Sequence, residues 1–66
     1  MKFYKVTSRY YDDGRCTVNL TTVYADEKPQ DTSEELKRCD LYNDYFEDKQ
    51  EAEIFANTVK EQNGVT

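Results

Sequence analysis

KFYKVTSRYYDDGRCTVNLTTVY, residues 2–24, separates into two chemical sets when it is read two residues at a time. Lys2–Tyr11 and Arg15–Ala25 are both rich in Tyr, Thr, Val and Phe, side chains that suit a pleated, half-buried surface. "DDG" joins the two runs, and Gly14 tolerates the positive φ that a tight hairpin turn requires. The pattern predicts a β-hairpin turning at Asp12–Gly14. Its apolar face carries Tyr4, Val6, Ser8 and Tyr10, then Cys16, Val18, Leu20, Thr22 and Tyr24. Its other face carries Lys5, Thr7, Arg9 and Tyr11, then Thr17, Asn19, Thr21 and Val23. One side therefore packs on a core, and the other meets water or a partner.

Downstream, Asp26 to Thr32 is a polar loop holding the only proline, Pro29, which removes a hydrogen-bond donor. Thr32 and Glu35 have capping-box spacing, which predicts a short helical turn through about Arg38. "CDLYNDYFED" predicts a third strand, with Leu41, Asn43 and Tyr45 on one side and Tyr42, Asp44 and Phe46 on the other. The residues alone do not say which side is buried. "EDKQEAEIFANTVKEQNG" predicts a helix capped by Asp48 with Glu51 three residues on. Ala52, Phe55, Ala56 and Val59 form its packing stripe, widened by Ile54, and Gly64 is the expected stop. The stretch "YFEDKQEAEIFA" resembles the strand-to-helix junction of small α+β domains, including the hybrid-binding module at the start of some ribonucleases H. That module's tryptophan and further glycines are missing, so the resemblance implies a junction and no function.

The expected architecture is α+β, in the order β-β-β-α. A three-stranded antiparallel sheet, hairpin plus third strand, packs on one C-terminal helix, with residues 1–66 forming a single domain. Such a short chain buries a small fraction of its surface, so its stability is expected to be a few kcal/mol. Charged residues make up 35% of the sequence, a proportion found in disordered chains, but 14% aromatics and the strand periodicity argue for a fold. No run approaches the roughly 18 apolar residues of a membrane span, and the expectation is a soluble, cytoplasmic protein without membrane contact. Cys16 and Cys39 are too few for a disulfide scaffold and are expected as reduced thiols at core positions; a single bridge between them stays open.

Composition also excludes chemistries. Without histidine the chain lacks the commonest general base and the commonest zinc ligand, and neither cysteine has the imidazole that usually activates it. Asp12–Gly14 and Asp40–Asp44 do not meet the calcium-loop spacing. The two glycines lie far apart in sequence, which rules out a glycine-rich phosphate loop. A helix and three strands leave little room for a pocket of about 300 Å³. No cofactor and no enzymatic activity are expected.

Binding remains. The net charge of −5 is uneven: residues 1–24 carry +2 and residues 25–66 carry −7. The acidic balance makes nucleic acid an unlikely partner. Two candidate surfaces emerge. The open hairpin face offers Lys5, Arg9, Tyr11, Arg15 and Asn19, and basic residues beside an aromatic suit weak single-strand binding. The acidic part offers Glu34, Glu35, Asp40, Asp44 and Glu47, a charge array that could imitate nucleic acid in a phage-type inhibitor of a host protein. The six tyrosines exceed what so small a core can enclose, and tyrosine is enriched at interfaces, including those of homodimers. The leading expectation is a non-enzymatic protein-interaction domain, monomer or homodimer, with the inhibitor and single-strand readings behind it.

Overall fold

A computed structural model describes residues 1–62. The elements are β1 (Lys2–Tyr11), β2 (Cys16–Tyr24), β3 (Thr32–Glu35), β4 (Cys39–Phe46) and α1 (Lys49–Gln62). The chain is α+β as expected, but the antiparallel sheet has four strands, in the order β2-β1-β4-β3.

The first hairpin forms where the sequence placed it. Gly14 has φ +91, its N–H donates to the Tyr11 carbonyl (3.0 Å), and Tyr11 N–H donates to the Arg15 carbonyl (2.8 Å). That is a three-residue loop closed by a glycine in the left-handed region. Asp13 completes it. Its carboxylate accepts the Arg15 backbone N–H (3.0 Å) and pairs with the guanidinium (2.8 Å), and these contacts, the backbone bond foremost, hold Asp13 below the usual carboxylate value.

Thr32–Glu35 is an edge strand and not the helical turn expected from its capping-box spacing. Thr32 Oγ1 accepts a hydrogen bond from Asn43 Nδ2 (3.2 Å) on β4 instead of capping a helix. All four residues of β3 are exposed, so no apolar alternation marked them, and pairing with β4 supplies the strand. The β2–β3 connection, residues 25–31, passes from one sheet edge to the other. Met1 and Ala25 exchange backbone hydrogen bonds at its start, and the Asp31 carboxylate accepts Tyr45 N–H (2.9 Å) at its end.

β1 is central, paired with β2 and β4. Its register pairs the two hairpin faces as expected, but Tyr24 of the apolar set is 77% exposed and Phe3, on the opposite face, is 1% exposed. Val6, 0% exposed, anchors a core with Ala52 and Ala56 of α1. Tyr4, Val18, Leu20, Phe46 and Phe55 pack around them. Asp48 caps the helix, its carboxylate accepting Gln50 N–H (2.9 Å). Ala52, Ala56 and Val59 are its buried stripe. Ile54 does not widen that stripe: it is 59% exposed, because the helix presents a narrow line of small residues to the sheet. The expected stop at Gly64 lies outside the described residues.

The helix lies over β2 and β1, touches β4 less, and does not reach β3. The Cα trace measures 37 × 24 × 12 Å. A thickness of 12 Å fits one sheet plus one helix layer, since such layers sit about 10 Å apart. No second helix or sheet among the described residues covers the opposite face, although Phe3 on that side is buried. Among the described residues, no helix is long and apolar enough to cross a membrane.

Candidate functional site

Because α1 is displaced toward β2 and does not reach β3, no other element among the described residues covers the β4–β3 part of the sheet's helix side. Cross-strand register fixes what occupies it. One row runs Val18–Ser8–Tyr42–Ser33 across β2, β1, β4 and β3; the next runs Leu20–Val6–Asp44; the row on the other flank runs Cys16–Tyr10–Asp40–Glu35. Asp40, Tyr42, Asp44 and Phe46 are therefore the residues of β4 that share the helix side.

Between α1 and β4 this side sinks into a hollow of about 380 Å³, lined by Ser8, Tyr10, Tyr42, Asp44 and Phe55. The sequence had left no room for a pocket of this size; the fourth strand and the off-centre helix make it. Tyr10 and Tyr42 meet edge to face, with ring centroids 5.6 Å apart and planes at 80°. Phe55 closes the helix side and is itself braced by Phe46 at 5.2 Å. Two polar groups face this apolar surround. Ser8 is 2% exposed, and its hydroxyl is buried without a hydrogen-bond partner. Asp44 is half-buried, and burial, then the nearby Asp31 carboxylate, push its pKa above the ordinary 3.8.

The acidic candidates are split by the pleat. Asp44 lines the hollow, and Asp40 and Glu35 stand beside it, directly opposite each other across β4 and β3. Two like charges in that position repel. Glu34 lies one residue along and points to the other face, opposite Leu41, while Glu47 is exposed between β4 and the helix. The five do not form one array.

The helix-free face gathers the basic candidates differently from expectation. Lys5 lies over the Tyr45 ring (5.9 Å), so that face holds Tyr45 besides Tyr11 and the buried Phe3. Arg15 lies over Tyr11 (5.2 Å) and pairs with Asp13. Tyr11 and Arg15 join Asp12, Asp13 and Arg38 around a second hollow of about 360 Å³ between the two hairpin turns. Arg9 stands between Thr17 and Leu41, and Asn19 is exposed on β2. The middle of the face is a polar ladder, with Thr7 donating to Asn43 Oδ1 (2.9 Å) and Asn43 donating to Thr32.

Among the described residues no group of His, Cys, Asp and Glu has the arrangement to hold a metal ion. The site residues that sequence reasoning missed are Ser8, Tyr10, Tyr42 and Phe55. Ser8 was the one detectable signal, a lone hydroxyl in the apolar set of β1. No family model, no curated protein and no solved structure matches the chain.

Proposed function

We propose that this protein is a non-catalytic interaction domain that binds a basic segment of a protein partner along the β4–β3 part of its helix-side face. One observation carries the reading: α1 stops short of β3 and leaves an aromatic hollow flanked by Asp44, Asp40 and Glu35. Tyr42, 42% exposed beside a half-buried carboxylate, has the composition of an interface anchor and not of a solvated strand. The opposed Glu35 and Asp40 gain from a cation placed between them, which gives the cleft its charge preference. Fluorescence anisotropy with labelled twelve-residue peptides tests this. Lysine-rich peptides are expected to bind, glutamate-rich peptides of equal length to fail, and Tyr42→Ala and Asp44→Asn each to weaken binding about tenfold. Binding that ignores peptide charge, or that survives both substitutions, refutes the reading.

A second reading, weak single-strand nucleic-acid binding by the helix-free face, is favoured by one observation, the presence of Tyr45 there beside Lys5. Lys5 and Arg15 are already seated on rings of their own chain, which lowers their value for phosphate. Affinity for oligothymidylate that falls steeply with salt and drops on Arg9→Ala supports this second reading; no binding at low salt removes it.

A further inference from the structure

We infer that the hollow between α1 and β4 seats a single primary alkylammonium group, the end of an unmodified lysine side chain from a protein partner. The inference rests on the interaction reading above and adds the chemistry of the group recognised. Three features of the hollow converge on it. The first is the Tyr10–Tyr42 pair, two tyrosine rings 5.6 Å apart that both line the space. Tyrosine faces attract cations, and the described residues use them so three times, with Lys2 over Tyr4, Lys5 over Tyr45 and Arg15 over Tyr11. Tyr42 has no such cation from its own chain among the described residues. The second is Asp44, a carboxylate at the wall of the hollow that takes part in neither ion pair of the described residues. The third is Ser8 Oγ, buried at the same wall with no partner.

The third feature decides between cations. A buried hydroxyl without a partner is costly, and a ligand that donates a hydrogen bond to it recovers that cost. A primary ammonium has three N–H donors, enough to reach both Ser8 Oγ and the Asp44 carboxylate while lying on a tyrosine face. A quaternary ammonium offers charge without donors and leaves Ser8 as it was. An apolar ligand offers neither. A straight alkyl stem suits the Phe55 side of the hollow.

The test uses small probes, so it does not depend on any partner. The full chain, labelled with ¹⁵N, is titrated with n-butylammonium, with trimethylbutylammonium and with 1-butanol. n-Butylammonium is expected to shift the amides of Ser8, Tyr10, Tyr42, Asp44 and Phe55 saturably, with a dissociation constant on the order of millimolar, as one cation–π contact and two hydrogen bonds allow. Trimethylbutylammonium should bind at least about threefold more weakly, and butanol should not saturate. Ser8→Ala should bring n-butylammonium down to the trimethyl level and leave the trimethyl affinity unchanged. Asp44→Asn should weaken both cations about tenfold. The inference is overturned by shifts that do not saturate, by butanol matching the cations, by equal or tighter binding of the trimethyl probe, or by a Ser8→Ala variant of unchanged preference. If n-butylammonium binds here while lysine-rich peptides fail, the hollow stands and the partner reading falls.

Discussion

Ser8 sits between Val18 and Tyr42 in the middle of the sheet, 2% exposed, where a chain built only for stability would place an alanine or valine. Its unpartnered hydroxyl costs on the order of 1–3 kcal/mol. Ser8→Ala should therefore leave the urea midpoint unchanged or raise it, and a drop of more than about 1 kcal/mol would show that the hydroxyl supports the fold. Asp44 makes a parallel case with pH. Its folded pKa lies above 3.8, so the folded chain holds that proton more tightly than the unfolded chain. Stability tied to Asp44 is present below pH 3.8 and is lost as pH rises through the raised value. Asp44→Asn should accordingly be more stable than the parent at pH 7 and no different at pH 3, as urea titrations at the two pH values will read. Gly14 differs in kind. Nothing lies within 4 Å of a Cβ built there, so Gly14→Ala meets no clash and costs about 1 kcal/mol through its positive φ alone.

The helix and β3 show what a local pattern can and cannot specify. The helix was legible because Asp48 caps it and because small apolar residues recur at its own period. Both properties sit within one stretch of chain. Asp48→Ala should cost about 1 kcal/mol in thermal or urea unfolding. Ala52 is 0% exposed where the helix meets Val6, so Ala52→Leu should cost about 1–3 kcal/mol by overpacking. An unchanged midpoint for that variant would mean that the helix stands farther from the sheet. β3 was illegible because nothing in TSEE is apolar, and its strand character comes from pairing with β4. The β4 faces were illegible for a related reason. The helix reaches β4 only at its margin, so both of its sides are half-buried and no alternation results.

At the scale of the whole molecule, strand order sets the fate of the two thiols. Cys16 is opposite Tyr10 and Cys39 opposite Tyr11, on the two flanks of β1, and their side chains leave on opposite faces. Two strand spacings put their Cα atoms about 9–10 Å apart, beyond the roughly 7 Å limit for a bridge. Mild oxidation should thus leave the intact mass of the monomer unchanged, and iodoacetamide should label the half-exposed Cys16 faster than the buried Cys39. A monomer lighter by two hydrogens after oxidation would contradict the strand order. By itself the sequence determined the hairpin, its turn at Gly14, the alternation of its central residues and the capped helix, because each depends on residues within a few positions of one another. Only the tertiary structure decided the central place of β1, the fourth strand, the exposure of Ile54 and the assembly of Ser8, Tyr10, Tyr42, Asp44 and Phe55 around one hollow. Those outcomes depend on contacts between distant segments, and on where a narrow helix comes to rest on a sheet wider than itself.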